Sequence, residues 1–374
     1  MGGGSEIVKA ITSEPRTIAE YQGRSAEELF QRTAEAKRAL GDRVMVLGHN
    51  YQRDEVIVHA DFRGDSLKLA QIAERQSDRP YVVFCGVHFM AETADILSRS
   101  NQTVILPDMA AGCSMADMAA IEQVDQCWDE LGRVIPVEET VLPAVYVNSA
   151  AVLKAFCGEH GGITCTSSNA RAVIEWAWAR REKILFFPDE HLGRNTANKM
   201  GLPREEMIVW DPFQPRGGNS VEAIRRAKLI LWKGHCSVHQ MFQPAHVDYF
   251  RKQYPGIKVI VHPECHEDVV NKADQVGSTE FIIRTVTAAP AGTAWAVGTE
   301  LNLVNRLKKE QPDKHVYFLS STVCQCATMF RIDAPHLCWA MENLASGHVA
   351  NSIVVPDDEK RWAKVALDRM MAIS

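Results

Sequence analysis

The residues best suited to metal chemistry are three cysteines that recur in similar surroundings. Cys113, Cys236 and Cys326 each follow a short apolar run and a polar loop, at corresponding points of three successive stretches of the chain. Three thiolates suit a 4Fe-4S cluster in which one iron has no protein ligand. Such an iron acts as a Lewis acid that binds a substrate oxygen or nitrogen directly. Any one of these cysteines alone would more often be a small buried core residue, so it is their recurrence that favours the cluster.

The spacing of these cysteines leaves two questions open. Cys324 and Cys338 lie close to Cys326 in the sequence, so the repeat alone does not select the third ligand. A zinc site is also conceivable, because HCSVH places two histidines at i and i+4 around a cysteine. Its ligands would be His235, Cys236, His239, Cys324 and Cys326. No CxxC pair supports zinc, and the iron-sulfur site is favoured.

Polar side chains suited to proton transfer follow three of the apolar runs. The runs end in LGHNYQ (47–52), VYVNSA (145–150) and VIVHPEC (259–265). Histidine and glutamate transfer protons, whereas tyrosine and asparagine orient carboxylates or polarise a carbonyl. The candidates are His49, Asn50, Tyr51, Tyr146, Asn148, His262, Glu264 and Cys265.

Two further groups of polar residues stand out. Hydroxyl-containing segments precede three helix-like stretches, at Asp65-Ser66, Thr166-Ser167-Ser168 and Ser278-Thr279. Such residues ordinarily cap helices, and at a helix start they also hold carboxylate or phosphate. The second group is charged and comprises Asp189, Glu190, Arg194 and Glu300. These residues could support the site residues or lie between domains, and ion pairs are the favoured expectation.

The elements that must position these residues recur three times. Short apolar runs rich in β-branched and aromatic residues alternate with helix-like stretches, which is typical of buried parallel strands in an α/β fold. Each copy contains a strand with a polar end, a helix start, a further strand with a polar or Gly-containing end, and a strand that runs into a cysteine. This order indicates an internal triplication. The middle copy is longer, and the excess fits an insertion near residues 200–228.

The triplication predicts the fold class. We expect an α/β fold with three similar Rossmann-like parallel-sheet domains about a pseudo-threefold axis, and an active site at the centre, where the carboxyl ends of the strands meet. The predicted domains are residues 1–128, with an N-terminal helix and the first repeat; residues 129–250, with the second repeat and the insertion; and residues 251–374, with the third repeat and a C-terminal helical segment.

Composition and charge exclude several classes of protein. The chain has 374 residues, 46% of them hydrophobic, and a formal net charge of −6. Without a basic run it has no electrostatic reason to bind phosphate backbones or anionic lipid, so neither nucleic acid nor membrane is an expected partner. The sequence lacks a signal peptide, a membrane-spanning stretch, a P-loop and a GxGxxG motif. We expect a cytoplasmic protein whose ten cysteines do not form a disulfide framework.

Taken together, these segments closely resemble the quinolinate synthase family of bacterial de novo NAD biosynthesis. The similarity runs through GHNYQ (48–52), GDSLKLA (64–70), FMAETADIL (89–97), YVNS (146–149), CTSSNA (165–170), PDEHLGR (188–194), GHCSVHQ (234–240), VHPEC (261–265), GSTEF (277–281) and GTELNLVNRL (298–307). It covers most of residues 44–331. The resemblance implies three similar α/β domains with a 4Fe-4S cluster at their meeting point.

The resemblance also assigns roles to particular residues. It implies that Cys113, Cys236 and Cys326 hold the cluster, the last because Met329 follows at the family's spacing, and that Cys324 and Cys338 do not. The implied catalytic residues are His49, Tyr51, His262 and Glu264. The implied substrate contacts are His49, Ser66, Tyr146, Val147, Asn148, Ser167, His262, Pro263, Glu264 and Thr279. Some members carry a CxxC pair where this chain has CxC, which puts a redox switch in doubt.

The reaction implied by the resemblance is that of a transferase. It condenses iminosuccinate (iminoaspartate) with dihydroxyacetone phosphate to quinolinate, with loss of phosphate and two waters, and an aspartate oxidase or dehydrogenase would supply iminosuccinate. Two other interpretations compete with it. An aconitase-type hydro-lyase also uses an open iron, and a cluster-based oxygen or iron sensor would require a DNA-binding element or a basic face, neither of which the sequence offers.

Overall fold

The computed structural model describes residues 14–76, 78–322 and 325–373. Within these ranges the chain divides into two compact units. Unit 1 comprises the described residues up to Gly112 together with Ala327–Val354, and unit 2 comprises those of Cys113–Cys326 together with the stretch from Val355 onward. The bounds predicted for three domains stay predictions.

Strands and helices alternate along the chain. The strands are β1 (Val44–His49), β2 (Phe62–Gly64), β3 (Tyr81–Cys85), β4 (Thr103–Ile105), β5 (Val141–Tyr146), β6 (Ile163–Cys165), β7 (Lys183–Phe187), β8 (Met207–Trp210), β9 (Leu229–Trp232), β10 (Lys258–Val261), β11 (Gln275–Val276), β12 (Ala294–Gly298), β13 (His315–Phe318) and β14 (Ser352–Ile353). The α-helices are α1 (Ala26–Leu40), α2 (Asp54–Ile57), α3 (Ser66–Arg75), α4 (His88–Leu97), α5 (Ile121–Gly132), α6 (Val137–Thr140), α7 (Ala151–Glu159), α8 (Ala170–Trp178), α9 (Glu190–Lys199), α10 (Val221–Arg226), α11 (Ser237–Gln240), α12 (Pro244–Gln253), α13 (Glu267–Lys272), α14 (Thr279–Ala288), α15 (Leu301–Glu310), α16 (Ala334–Ala345) and α17 (Asp357–Met371). Short 3-10 helices cover Ile18–Glu20, Gly41–Arg43, Ala116–Met118, Arg204–Glu206, Pro215–Gly218 and Met329–Arg331.

Unit 1 is built on a five-stranded sheet in the order β14-β4-β3-β1-β2. Strand β1 pairs in parallel with β2 and β3, and β3 pairs in parallel with β4. All six residues of β1 are buried, as expected of a parallel strand with both faces covered. Strand β14 pairs with β4 in the antiparallel direction, with Ser352 opposite Ile105. Segments far apart in the sequence therefore share one sheet.

Unit 2 holds two parallel sheets. One has the order β6-β5-β7-β9-β8 and the other the order β11-β10-β12-β13. Their paired strands all run parallel. The first sheet contributes to an aromatic core that contains Trp128, Phe156, Phe187 and Trp232. The second packs on a separate core around Phe242.

The three sheets repeat one strand order. In each copy the second strand lies on one side of the first strand, and the third and the cysteine-proximal strands lie on the other. The repeat extends to single hydrogen bonds in the first and third copies. The Asp61 carboxylate accepts the N–H of Val46 at 2.8 Å, and the Asp274 carboxylate accepts the N–H of Val259 at 2.6 Å. The predicted fold class, α/β with three similar Rossmann-like parallel sheets, is confirmed.

The segment predicted as an insertion in the middle copy supplies an extra edge strand. Strand β8 pairs with β9 at the end of the sheet. The chain then turns through Arg216 and Gly217, whose φ angles of 54° and 61° lie in the left-handed region. A Cβ at Gly217 would lie 2.4 Å from the Trp210 ring, so this turn requires glycine.

Within the described ranges, every helix is too short or too polar to cross a membrane. The nine cysteines that the structure describes are free thiols.

Candidate active site

Glu264 lies at the centre of a buried hydrogen-bonded group in unit 2. Its Oε1 accepts the hydroxyl of Tyr146 at 2.6 Å, and its Oε2 lies 2.9 Å from Nδ1 of His239. Nδ1 of His262 lies 3.6 Å from Oε1. Glu264 is 2% exposed, and its three partners are similarly buried. Residues predicted from the ends of β5 and β10 therefore meet at one carboxylate.

Two opposing effects set the protonation of Glu264. Burial acts to raise the pKa of its carboxyl, but the charges of His239 and His262 and the hydrogen bonds from His239 and Tyr146 outweigh burial and lower the pKa to about 2. Glu264 is therefore an anion near neutral pH. A carboxylate with a lowered pKa is a weak base, so its hydrogen bonds to neighbouring groups matter for any proton that it accepts.

His239 belongs to this group, although the sequence suggested it only as a zinc ligand. Its Nε2 lies 3.2 Å from the hydroxyl of Thr299, and its ring stacks on that of His262 with centroids 4.5 Å apart. Helix α11 begins directly after Cys236, which places His239 about one turn beyond the cysteine. The three-residue spacing in HCSVH was the only signal that the sequence offered for this residue.

The loop after β10, which carries the central carboxylate, is fixed from two sides. The N–H of His262 donates to the carbonyl of Gly298 at 3.0 Å and continues the ladder between β10 and β12. The Asn195 side chain donates to the carbonyls of Pro263 and Cys265, both at 2.8 Å. A buried amide with two such bonds restricts the backbone of this loop.

The three cysteines predicted as cluster ligands all lie in unit 2, and Cys326 contributes to the ionisation of the other two. Burial, with a contribution from Cys326, raises the pKa of Cys113 to about 12. Burial and the Glu264 carboxylate raise the pKa of Cys236 well above its usual value, and Cys113 and Cys326 add to this increase. Thiols in such surroundings stay protonated near neutral pH unless a bound cation stabilises the thiolates.

Part of this group has the geometry of a metal site. Ligand atoms of Cys236, His239 and Glu264 lie within 4.8 Å of one another. They are a sulfur, a nitrogen and an oxygen atom, respectively. His235, which the zinc alternative would also use, is exposed, and its N–H donates to the sulfur of Met118 at 3.3 Å. The structure thus brings together one histidine and one cysteine of the HCSVH segment with the central carboxylate.

Two other cysteines, Cys324 and Cys338, lie near the third predicted ligand in the sequence. Cys324 lies outside the described residues. Cys338 is fully buried in unit 1, where it packs in an apolar core with Tyr21 and Leu29. Core packing accounts for Cys338.

In the first two copies, a backbone hydrogen bond joins the start of a helix to the loop that leads into a predicted cysteine ligand. In the first copy the N–H of His88 donates to the carbonyl of Ala111 at 2.8 Å, and in the second copy the N–H of Glu190 donates to the carbonyl of Gly234 at 2.9 Å. Both acceptors lie two residues before a predicted ligand. A Cβ at Gly234 would lie 2.0 Å from the carbonyl oxygen of Pro188, so glycine is needed for this close approach.

In the third copy the buried carboxyl group of Glu300 accepts a hydrogen bond from the loop that contains the predicted ligand Cys326. Glu300 is fully buried and accepts the backbone N–H groups of Asn302 at 2.7 Å, of Leu303 at 3.4 Å, and of Cys326. Burial raises the pKa of Glu300 to about 8, although these hydrogen bonds act to lower it. Glu300 thus caps α15 and holds the backbone of a predicted ligand.

The ion pairs predicted for the charged segments need correction. Glu190 and Arg194 do form an ion pair, at 2.5 Å. Asp189 and Glu300 act instead as helix caps, and Asp189 accepts the N–H of Leu192 at 2.5 Å. The N–H groups at a helix start satisfy a buried carboxylate without a cationic partner, which is why the charged sequence pattern was misleading.

The predicted residues of unit 1 lie at the carboxyl ends of β1 and β2. His49 is buried, and its Nδ1 accepts the N–H of Tyr51 at 3.2 Å. The two rings meet edge to face, with centroids 4.8 Å apart. After β2, Ser66 is the first residue of α3 and follows the cap Asp65.

The remaining predicted residues occupy corresponding places in unit 2. Val147 extends β5, since its N–H donates to the last residue of β6 at 2.8 Å, and Asn148 follows it. Ser167 lies between β6 and α8, and Thr279 is the first residue of α14 after the cap Ser278. Thr279 thus has the same place in the third copy as the serine that begins α3 in the first.

Comparison with known proteins places this site in a family context. The family described as Quinolinate synthetase A protein matches residues 31–372. A protein named Quinolinate synthase from Rhodopirellula baltica is 55% identical over 364 residues, which cover 94% of this chain and 93% of that protein. Proteins of the same name from a Nocardioides species and from Herpetosiphon aurantiacus are 57% identical over 352 residues and 55% identical over 368 residues. These matches cover 92% and 98% of this chain, and 89% and 98% of those proteins.

Proposed function

The chain belongs to the quinolinate synthase family, and from this premise we propose that it condenses iminosuccinate with dihydroxyacetone phosphate to quinolinate, phosphate and two waters. It would thereby act as a transferase of NAD biosynthesis. The observation that carries the proposal is the buried group of Tyr146, His239 and Glu264, which lies beside Cys236. It combines proton-transfer groups with a metal-ligating thiol, as a dehydrating condensation requires.

The cysteine group fits a 4Fe-4S cluster with three protein ligands. Cys326 lies close enough to Cys113 and Cys236 to affect their ionisation, and burial makes the thiolates of these two residues unfavourable without a cation. Binding to iron provides that cation, because a metal ion deprotonates a coordinating thiol. We propose that these three residues hold the cluster, which supplies a Lewis-acidic iron when bound.

His239 and Glu264 form the proton-transfer pair of the proposed reaction. The Glu264 carboxylate is ionised, and a proton taken from substrate would be shared between its Oε2 and Nδ1 of His239, which lie 2.9 Å apart. The hydroxyl of Tyr146 donates to the other carboxylate oxygen and orients it. His262 stacks on His239 and offers a second imidazole for tautomerisation and ring closure.

Groups at helix starts are proposed to hold the carboxylates and the phosphate of the substrates. Ser66 and Thr279 begin α3 and α14, and Ser167 precedes α8. The N–H groups and the dipole at a helix start favour anions, and hydroxyls add neutral donors. The family resemblance implies further contacts by His49, Val147, Asn148 and Pro263, and a supporting catalytic role for Tyr51.

The source of iminosuccinate and the cellular compartment are part of the same proposal. An aspartate oxidase or dehydrogenase would supply iminosuccinate, because oxidation of the amino group of aspartate gives this imine. The cytoplasm is the proposed compartment, since the described cysteines are all free thiols and a reducing compartment keeps them so.

Anaerobically purified protein allows the decisive test. We expect quinolinate to form from iminosuccinate and dihydroxyacetone phosphate, and about four irons and about four sulfides to be bound per chain. Cys236→Ser removes a proposed ligand and should lose both the bound iron and quinolinate formation. The control is Cys127→Ala, which changes a buried cysteine in the aromatic core of unit 2 and should retain both.

Two outcomes would contradict the proposal. An iron-loaded protein that forms no quinolinate but dehydrates small hydroxy acids would be a hydro-lyase of the aconitase type. Tightly bound zinc, with no iron after anaerobic reconstitution, would refute the assignment of the cysteines to an iron-sulfur cluster.

A further inference from the structure

The chain passes from one unit to the other next to two of the proposed cluster ligands. Gly112 is the last residue of the first stretch of unit 1 and precedes Cys113, and Ala327 begins the second stretch of unit 1 directly after Cys326. Consecutive Cα atoms lie about 3.8 Å apart, so each cysteine is held close to an end of unit 1. Contacts that fix these two ends therefore limit how far apart the two cysteines can lie.

A carboxylate from the first stretch lies against an arginine and a histidine from the second. Asp108 belongs to the loop between β4 and Cys113 and is 8% exposed. Its Oδ2 lies 2.8 Å from Nε of Arg331 and 3.7 Å from Nε2 of His336. These two partners follow Cys326 by five and ten residues. The group thus joins the chain segments that lead to two proposed ligands.

The two oxygens of Asp108 have different roles. Oδ1 accepts the N–H of Ala110 at 2.9 Å, and the Asp108 carbonyl accepts the N–H of Ala111 at 3.0 Å, so this residue shapes the turn before Cys113. The ion pair of Oδ2 with Arg331 lacks the alignment of a hydrogen bond, and within the described ranges this buried oxygen accepts none. Its interactions are therefore those of a charge.

His336 links this carboxylate to the start of α16. Its Nδ1 lies 2.6 Å from Oδ1 of Asp333, the N-cap residue of α16. The hydrogen bond to Asp333 and the negative charges of Asp333 and Asp108 raise the pKa of His336, although burial and Arg331 act to lower it. The protonated ring is attracted to both carboxylates at once.

The segment that follows the third proposed ligand is also held by the loop after β1. The fully buried Gln52 donates from Nε2 to the sulfur of Met329 at 3.1 Å. Arg53 donates to the carbonyl of Phe330 at 2.7 Å, and its guanidinium carbon lies 4.0 Å from the centre of the Phe330 ring. These contacts anchor the segment within unit 1.

We propose that Asp108 is a positioning residue for the iron-sulfur cluster, because its contacts with Arg331 and His336 hold together the two chain segments that carry Cys113 and Cys326. Asp108 acts through these segments and not on the reacting atoms. The inference rests on the proposed function, which assigns both cysteines to the cluster.

Iron retention by the reconstituted protein tests this role without turnover. Asp108→Asn keeps an oxygen for the N–H of Ala110 and removes the charge. Loss of a residue that holds metal ligands in place typically weakens metal binding by about 10–100-fold, so we expect this variant to lose iron to a chelator about tenfold faster than the wild type. Arg331→Lys keeps a cation and should retain iron longer than Arg331→Gln.

The matched control is Glu342→Gln. The Glu342 side chain is 14% exposed, against 11% for that of Asp108, and it pairs with Arg32 at 2.7 Å. This pair joins α16 to α1, both in unit 1, and not two ligand segments. Urea unfolding of the metal-free proteins at neutral pH should show a loss of stability in Glu342→Gln, and this variant should release iron at the rate of the wild type.

A double variant tests whether Asp108 acts through its ion pair. When two residues act through one interaction, removal of the second adds little to removal of the first. Asp108→Asn combined with Arg331→Gln should therefore release iron no faster than the faster of the two single variants.

The proposal is overturned if Asp108→Asn retains iron as the wild type does, if Glu342→Gln loses iron equally fast, or if the two effects multiply in the double variant. A protein whose iron retention depends on Asp108 but that forms no quinolinate supports the positioning role and refutes the proposed function. Quinolinate formation by the wild type, together with unchanged iron retention in Asp108→Asn, supports the function and refutes the positioning role.

Discussion

Replacing Glu300 by alanine tests whether one buried helix cap also fixes a proposed cluster ligand. The change removes the acceptor for three backbone N–H groups, those of Asn302, Leu303 and Cys326. Loss of a helix cap costs about 1 kcal/mol, and a buried N–H group left without a partner costs about 1–3 kcal/mol more. Since Glu300 is fully buried and water cannot easily replace it, we expect the free energy of unfolding to fall by about 2–4 kcal/mol.

Two measurements separate the consequences of this change. Urea unfolding of the metal-free protein reports the loss of stability, and the iron content after anaerobic reconstitution reports whether the cysteine loop keeps its geometry. We expect Glu300→Ala to lose most of its iron, and Glu300→Gln, which keeps an acceptor oxygen, to lose less.

The matched control removes a helix cap in the same unit. In Ser220→Ala, helix α10 loses the hydrogen bond from the N–H of Ala223 to the Ser220 hydroxyl, which is 3.1 Å long, and an exposed hydrogen bond from that hydroxyl to the Glu222 carboxylate. This variant should lose about 1 kcal/mol and keep its iron. If Glu300→Ala lost no more stability than Ser220→Ala and bound iron as the wild type does, the reasoning about the third cysteine loop would be refuted.

Two further predictions concern one carboxylate in each unit. Glu264→Gln removes the central negative charge and, at unchanged iron content, should lower kcat by about 100-fold, whereas near-normal turnover would exclude Glu264 from the chemistry. In unit 1, burial acts to raise the pKa of Glu342, but hydrogen bonds from Arg32 and Tyr21 outweigh burial and lower it. Because the folded-state pKa is the lower one, this stabilisation is present above the unfolded pKa of about 4.5 and is lost as the pH falls through the folded value. Urea midpoints measured at about pH 6 and about pH 3 should therefore fall further in the wild type than in Glu342→Gln, and equal falls would contradict this assignment.

The three parallel sheets could be predicted because their signals are local. The strands β1, β5 and β10 lie in short apolar runs that end in polar residues, and both features are visible within a few neighbouring positions. Strand β14 could not be predicted in the same way. It has two residues, and its partner β4 lies far earlier in the chain, so no local pattern marks the pairing.

The candidate site was predictable where residue type alone suggests the chemistry. Tyr146, His262 and Glu264 were predicted from strand ends, and the structure brings them together in unit 2. His239 was not predicted to join them, because the spacing in HCSVH does not show which side of a one-turn helix meets the carboxylate. Glu300 was expected to form an ion pair, since burial and the nearby N–H groups that decide its role are tertiary properties.

The antiparallel pairing of β14 affects how the chain acquires its structure during synthesis. The sheet of unit 1 receives this strand, and α1 packs against α16, only after the ribosome has passed Cys326. At about 5–20 residues per second, the 246 residues between β4 and β14 take about 12–50 s, during which one edge of β4 exposes unpaired backbone groups. Unit 2 is completed later still, because its helix α7 packs against α17, which is synthesised after β14. A nascent chain that stops short of residue 327 therefore carries two unfinished units, each with surface that a chaperone would have to cover.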